Sequence, residues 1–204
     1  MERVVLARHG ESELSLVGRT NGDPTLAVGL TEAGREQARK LGRDLAREPV
    51  DLCVTSEFRR AQETADLVLE GRDVPRLVLA ELNDIRFGAF EGRLLTDYRA
   101  WAWSRGPEEP VPGGGESRVE TVARYVRGFR AVLARPEESV LVVAHSLPIR
   151  YVLSAAAGTA PVPKIEQVPY AMPLPLRAAE LGVAVERLAV WVSEPVWPSR
   201  HRVM

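Results

Sequence analysis

Two short apolar runs that each end at a histidine constrain the fold of this chain most strongly. Residues 4–7 lead into Arg8 and His9. Residues 140–144 lead into His145. Their length and their valine and leucine content predict buried β-strands. Ligands bind at the carboxyl ends of the strands in an open parallel sheet, so we expect both histidines at that edge. Two imidazoles beside an arginine indicate a site for an anion.

The remainder of the chain alternates predicted strands with predicted helices. Strands are predicted at residues 3–7, 50–55, 76–80 and 139–144. Helices are predicted to begin near the polar residues Thr31, Ser56, Ser117 and Ser146, because apolar residues recur behind each at helical spacing. This alternation predicts an α/β three-layer sandwich with a mostly parallel central sheet flanked by helices. The proline-interrupted C-terminal part is expected to hold extended pieces near 165–169, 173–176 and 188–192.

The bulk properties of the chain exclude several classes of protein. Its 204 residues suit one domain, residues 1–204, with a short lid at 93–115 and a tail at 195–204. A net charge of −1 argues against nucleic acid as a partner. The single cysteine, Cys53, excludes an intramolecular disulfide and is expected to be buried and inert. We find no signal-peptide pattern and no membrane-spanning stretch, and therefore expect a cytoplasmic protein without membrane contact.

Four motifs between residues 4 and 150 together resemble those of a known family. The first is Arg8-His9-Gly10-Glu11. The second covers residues 56–65 and contains Arg60, and the third covers residues 82–92 and contains Asp84. The fourth is His145. In this order they resemble the signature of the histidine phosphatase superfamily, in its phosphoglycerate mutase-like branch. The resemblance implies a phosphoglycerate mutase-like fold and phosphatase activity.

The residues of these motifs have the chemistry that transfer of a phosphoryl group requires. A phosphomonoester carries about two negative charges, and the planar guanidinium groups of Arg8 and Arg60 can bind its oxygens, with help from His145. A neutral imidazole can accept the phosphoryl group if its other nitrogen donates to a backbone carbonyl. The resemblance implies that His9 is this nucleophile and forms a phosphohistidine. Asp84 is then the general acid, and later the base that activates water.

The identity of the acid stays open on the sequence alone. The family usually has glutamate at the position of Asp84, which is shorter by one methylene. Glu81 and Glu91 are therefore alternatives.

The substrate-binding residues are also predicted from the resemblance. The candidates in the substrate loop, in the segment after the glycine run and beside the second histidine are Arg19, Asn21, Gly22, Glu116, Ser117 and Ser146. Ser146 stands where the family commonly has glycine. Three aromatic residues, Tyr98, Trp101 and Trp103, are expected either to line a pocket or to pack in the core.

The sequence favours a metal-independent phosphomonoesterase that acts on a small phosphorylated metabolite, without a metal or cofactor. Phosphoglycerate mutase is the first alternative. Mutases of the family carry a long insertion over the substrate. The corresponding segment here, residues 93–114, is short and contains only Arg93, Arg99 and Arg105 as basic residues. A non-catalytic protein that binds a phosphorylated ligand is the second alternative. The oligomeric state is open, and a homodimer is compatible with the sequence.

Overall fold

A five-stranded sheet forms the centre of the computed structural model, which describes residues 1–197. The strands are β1 (Arg3–Arg8), β2 (Leu52–Thr55), β3 (Arg76–Val78), β4 (Ser139–Ala144) and β5 (Leu174–Arg177). Their order in the sheet is β3-β2-β4-β1-β5. Only β5 runs antiparallel to its neighbour, so the predicted mostly parallel sheet is confirmed.

Helices cover both faces of this sheet. They are α1 (Glu13–Leu16), α2 (Glu32–Asp44), α3 (Arg59–Val68), α4 (Leu95–Ala102), α5 (Arg118–Leu133), α6 (Ser146–Ala156) and α7 (Ala178–Ser193). Two short 3-10 helices, Ala80–Leu82 and Gly88–Phe90, follow β3. None of the helices within residues 1–197 combines the length and the apolar character needed to cross a membrane.

Alternating side chains of the strands bury two separate apolar cores. On one face, Val4 and Leu6 of β1 pack with the buried sides of α5, α6 and α7. On the other face, Val5 and Ala7 pack with α2 and α3. Complete burial of each such side chain stabilises the fold by about 1.5–3 kcal/mol. Because successive side chains of a strand point to opposite faces, one short strand stabilises the packing of helices on both sides of the sheet. The predicted three-layer α/β sandwich is confirmed, and Cys53 is buried in the second core as expected.

The register of two central strands places both histidines at one edge. Arg8, the last residue of β1, lies opposite Ala144, the last residue of β4. The next residue of each chain segment is a histidine, and the N–H group of His9 donates to the carbonyl of Ala144 at 3.0 Å. Parallel pairing in this register therefore brings His9 and His145 together from positions far apart in the sequence.

Several predicted element boundaries were wrong. Residues 188–192 belong to α7 and not to a strand, because the burial of Leu181, Ala184, Val185 and Leu188 follows the helical period. Residues 165–169 form no strand and instead line part of a pocket. Thr31 and Ser117 are N-caps as expected, but Phe58 and His145 occupy the N-cap positions predicted for Ser56 and Ser146. Most of the predicted tail, residues 198–204 with His201, lies outside the described residues.

Candidate active site

His9 lies directly after β1, and its ring is held in one tautomer. Its Nδ1 atom is 2.7 Å from the carbonyl oxygen of Gly10, which can only accept a hydrogen bond. Nδ1 therefore carries the proton. The Nε2 atom accepts from Nε of Arg60 at 3.1 Å. The lone pair of His9 Nε2 therefore faces the charged guanidinium of Arg60.

The turn that orients His9 depends on two glycines packed against each other. A Cβ atom on Gly10 would lie 2.4 Å from the carbonyl oxygen of Gly34 in α2, and a Cβ atom on Gly34 would lie 2.0 Å from that of Glu11. Both distances are well inside van der Waals contact. The backbone N–H group of Gly10 donates to the hydroxyl of Thr64 at 3.0 Å. The loop after β1 is consequently fixed from α2 and α3 together.

Arg60 connects the groups of the site. It lies in the first turn of α3, almost fully buried, with its guanidinium 4.1 Å from the centre of the Phe58 ring. Besides His9, it donates to both oxygens of Asn21 and to Nδ1 of His145, the last at 3.2 Å. Its Nη2 atom is also 3.5 Å from a carboxylate oxygen of Asp84. A planar group with five donors thus orients four neighbours at once.

His145 is fully buried and is held between two polar partners. Because Arg60 only donates, Nδ1 of His145 must be the acceptor. Nε2 of His145 then carries the proton and lies 2.8 Å from the hydroxyl of Ser56. The rings of His9 and His145 are 5.2 Å apart, edge to face. The structure therefore presents two neutral imidazoles with assigned proton positions.

Asp84 is the carboxylate that lies within this group. Its Oδ2 atom is 3.7 Å from Nδ1 of His145, and its Oδ1 atom accepts from the N–H group of Ile85. Neither alternative acid is among the residues that line the pocket. The Cβ atom of Glu81 packs against α5 beside Gly128, and the carboxylate of Glu91 accepts from the N–H group of Gly22 at 2.8 Å. The geometry favours Asp84 as the acid.

Arg8 enters the site at the end of β1 and is fixed from the C-terminal part of the chain. Its guanidinium stacks 3.8 Å above the centre of the Tyr170 ring and donates to the carbonyl of Val168 at 2.8 Å. The Nε atom of Arg8 is buried and has no hydrogen-bond partner within residues 1–197. One donor of this fixed guanidinium is therefore left without a partner among the described residues.

Burial and neighbouring cations set the protonation states of the site. Burial, followed by the charges of nearby arginines, lowers the pKa of both His9 and His145 well below the ordinary value. Burial raises the pKa of Asp84, although the charge of Arg60 opposes this shift. Burial also lowers the pKa of Arg60 to about 10, which still leaves it charged at neutral pH. The site therefore combines neutral imidazoles with a carboxyl group whose proton affinity is increased.

These groups form the inner end of a pocket of about 340 Å³. Of the predicted substrate-binding residues, Arg19, Asn21 and Ser146 line it. Ser146 also accepts from the N–H group of Val168 at 2.9 Å, which fixes the segment that carries Tyr170. Tyr98 and Trp103 are on the pocket wall, whereas Trp101 is not among the lining residues.

Three predicted substrate-binding residues lie outside the pocket lining, and each has a structural partner. Gly22 donates through its backbone to Glu91. The hydroxyl of Ser117 caps α5 by accepting from the N–H group of Glu120. Glu116 is buried and pairs with Arg124 at 2.7 Å. Their prediction as substrate contacts is not supported by these positions.

Glu116 supports the site indirectly. Arg124, which it holds, donates to the carbonyls of Asn83 and Asp84 at 2.8 and 3.1 Å. Oε2 of Glu116, the oxygen that pairs with Arg124 at 2.7 Å, also accepts from the N–H group of Arg86 at 3.0 Å. The buried ion pair thus fixes the backbone on both sides of Asp84.

Several residues of the site are not predicted from the sequence. Ser56 is predicted as a helix cap within the second motif, and its position directly after β2 also places it at the same sheet edge as the histidines. Tyr170 and Gln167 reach the pocket from a segment without periodicity, so no local signal identified them. Arg118 follows the predicted cap of α5 and was not singled out. Within residues 1–197, no cluster of three His, Cys, Asp or Glu side chains is placed to hold a metal ion.

Comparison with known proteins identifies the family of this arrangement. Residues 4–172 match the family described as Histidine phosphatase superfamily (branch 1). The chain belongs to the histidine phosphatase superfamily. The resemblance stated from its four motifs is thereby confirmed, and the chain is an enzyme, a phosphatase of the histidine phosphatase type.

Relatives of this histidine phosphatase carry different activities in their names. A 2,3-bisphosphoglycerate-dependent phosphoglycerate mutase from Methylobacterium sp. (strain 4-46) is 39% identical over 81% of this chain and 87% of its own length. An adenosylcobalamin/alpha-ribazole phosphatase from Salmonella typhimurium is 37% identical over 70% of this chain and 73% of its own. The crystal structure of the alpha-ribazole phosphatase from Shigella flexneri superposes with a TM-score of 0.72 at 30% identity, covering 85% of this chain and 89% of that one.

Proposed function

We propose that the protein hydrolyses a small phosphorylated metabolite through a phosphohistidine intermediate on His9, without a metal. The observation that carries this proposal is the paired hydrogen bonding of His9. A donor bond from Nδ1 to the carbonyl of Gly10 leaves Nε2 unprotonated beside two arginines, Arg8 and Arg60. The pocket volume of about 340 Å³ suits a small substrate.

In the first step, Nε2 of His9 attacks the phosphorus atom and the bond to the leaving oxygen breaks. Arg8 and Arg60 offset the charge of the phosphoryl oxygens. Asp84 gives its proton to the leaving oxygen, so that an alcohol departs. The raised pKa of Asp84 favours the protonated carboxyl group that this step requires.

In the second step, water attacks the phosphorus atom of the phosphohistidine. The ionised carboxylate of Asp84 accepts a proton from this water, and the bond between phosphorus and Nε2 breaks. Inorganic phosphate leaves, and both His9 and Asp84 return to their starting states. The arginines supply the neutralising charge throughout, so no step requires a metal ion.

Phosphoglycerate mutase activity is the alternative, because a relative of that name is as similar as the phosphatases. A mutase must keep water away from the phosphohistidine. Between Asp84 and α5, the chain supplies only the 3-10 helix Gly88–Phe90, the eight residues of α4 and turns. This short cover leaves the phosphohistidine accessible to water and favours hydrolysis.

The test is hydrolysis of p-nitrophenyl phosphate in EDTA by the wild type and by His9→Ala. We expect the wild type to release phosphate and to yield an acid-labile, base-stable phosphoenzyme after rapid quenching. His9→Ala should show neither, while its circular dichroism spectrum matches that of the wild type. Substantial turnover by a folded His9→Ala protein would contradict the role of His9. Faster isomerisation of 3-phosphoglycerate than release of phosphate would establish the mutase alternative, and binding without turnover would establish a non-catalytic protein.

A further inference from the structure

The pocket extends beyond the phosphoryl site to an outer wall built by α4 and the start of α5. Tyr98, Arg99 and Trp103 come from or directly follow α4, and Arg118 is the first residue of α5. Apolar side chains, including Leu14 and Leu95, complete this part of the pocket. We expect the part of the substrate that leaves as an alcohol to lie against this wall.

The charge of the pocket exceeds what one phosphoryl group can offset. Five arginines line it, namely Arg8, Arg19, Arg60, Arg99 and Arg118. Asp84 is the single carboxylate on the lining within residues 1–197. A phosphomonoester brings only about two negative charges. A surplus of positive charge therefore remains, and two of the arginines belong to the outer wall.

The two outer arginines have no acidic partner among residues 1–197. The side chain of Arg99 makes no hydrogen bond or ion pair there, and the pKa of Arg99 is lowered by burial and by the charge of Arg118. Arg118 donates only to the neutral hydroxyl of Tyr151, at 3.1 Å. The charges of two neighbouring guanidinium groups repel each other, and an anion close to both would offset this repulsion. Burial opposes a charged Arg118, but three neighbouring tyrosines raise the pKa of Arg118 above its ordinary value, so Arg118 stays charged.

Tyr98 provides a second, independent indication of a ligand at this wall. Its side chain is 3% exposed, and its hydroxyl has no hydrogen-bond partner within residues 1–197. Buried hydroxyls are nearly always hydrogen-bonded, so this one requires an explanation. The Arg118 guanidinium lies 5.7 Å from the centre of the Tyr98 ring. A neutral hydroxyl near the Arg118 guanidinium can donate to an anion that Arg118 binds.

We propose that the substrate carries a second anionic group, a carboxylate or a second phosphate, which binds at the outer wall to Arg99, Arg118 and Tyr98. This inference rests on the proposed hydrolysis at His9, because it assigns the leaving part of the same substrate. Guanidinium groups bind both carboxylate and phosphate oxygens through bidentate hydrogen bonds, so the same two arginines can bind either anion.

The test compares substrates that differ only in the charge of the leaving part. The probes are 4-carboxyphenyl phosphate, 4-phosphonophenyl phosphate and the neutral 4-carbamoylphenyl phosphate, all assayed in EDTA. Each charge-assisted hydrogen bond changes binding by about tenfold or more, so kcat/KM of the wild type should favour an anionic probe by at least about tenfold. The ranking of the carboxylate and phosphonate probes identifies which anion the wall prefers.

The variants separate the outer wall from the phosphoryl site. Arg99→Gln should lower the preference for the anionic probe, measured as the ratio of kcat/KM values, by about tenfold. Arg99→Lys should restore part of that ratio, and Tyr98→Phe should lower it by less. Arg93→Gln is the matched control, since Arg93 is an exposed arginine of the same segment that does not line the pocket. It should retain the wild-type ratio.

The results distinguish failure of this inference from failure of the proposed function. Equal kcat/KM values for all three probes would overturn the second anionic group and leave hydrolysis intact. Equal losses on anionic and neutral probes in Arg99→Gln would assign Arg99 to the phosphoryl group and overturn the inference as well. If the wild type releases phosphate from none of the probes, the proposed hydrolysis itself is contradicted.

Discussion

Replacement of Ser56 by alanine should impair catalysis without touching a residue that contacts the phosphoryl group. The Ser56 hydroxyl lies 2.8 Å from Nε2 of His145, and both residues are fully buried. With this acceptor removed, the Nε2 proton loses its partner. The proton can move to Nδ1 only by removing the acceptor that Arg60 uses at 3.2 Å. Either outcome misplaces a donor of the phosphoryl site.

The expected magnitude follows from complete burial. A buried donor left without a partner costs about 1–3 kcal/mol. For a chain of this size, that loss lowers Tm by about 2–12 °C. If the same free energy is lost from the transition state, kcat/KM falls by a factor of about 5 to about 160. Both effects should appear together in Ser56→Ala.

The assay pairs thermal unfolding with turnover of p-nitrophenyl phosphate, and Ser139→Ala is the matched control. Ser139 is a buried serine at the opposite end of β4, and its hydroxyl donates to the carbonyl of Pro49 at 2.6 Å. Its loss should lower Tm comparably and leave kcat/KM near the wild-type value. A Ser56→Ala protein that loses stability but keeps wild-type turnover would refute the positioning of His145 by Ser56.

Further predictions test the remaining groups of the site. Asp84→Asn should slow the release of alkyl leaving groups much more than the release of p-nitrophenolate, because a poor leaving group needs the proton. Glu81→Gln should show no such dependence on the leaving group. The reverse result in single-turnover rates would assign the acid role to Glu81. Arg60→Ala should lower kcat by about a hundredfold or more, and Arg59→Ala should cost little; the opposite outcome would place the second motif in the wrong register. The two buried histidines have lowered pKa values in the folded protein, so the unfolded chain binds more protons once the pH falls below about 6.5. Below that pH, the free energy of unfolding should fall by up to about 1.4 kcal/mol per pH unit for each histidine, whereas above it the full contribution of the neutral histidines is retained. The raised pKa of Asp84 acts in the opposite direction and reduces this loss. Urea unfolding in phosphate-free buffer that shows no such loss would contradict the neutral state of the histidines.

The layered fold and the central residues of the candidate site can be predicted from local patterns in the sequence. Two valine-rich runs ending at His9 and His145 specify strands, because burial at period two requires such residues and local burial is readable from the chain. The motifs around Arg60 and Asp84 are local as well. The sequence did not predict the secondary structure of residues 188–192. These residues have a strand-like composition but complete α7, because their burial is set by the elements that pack against this helix.

Which of the residues near each motif lie in the candidate site depends on the tertiary structure. The sequence placed Glu81 and Asp84 three positions apart, and only the packing of the 3-10 helix against α5 left Asp84 facing Arg60 and His145. Arg99 and Arg118 share a pocket wall because α4 and α5 meet there, which no local spacing encodes. The proton position on His145 likewise depends on hydrogen bonds to Ser56 and Arg60, which are distant in the sequence. Such contacts are set by how the layers assemble, and the chain order alone does not contain them.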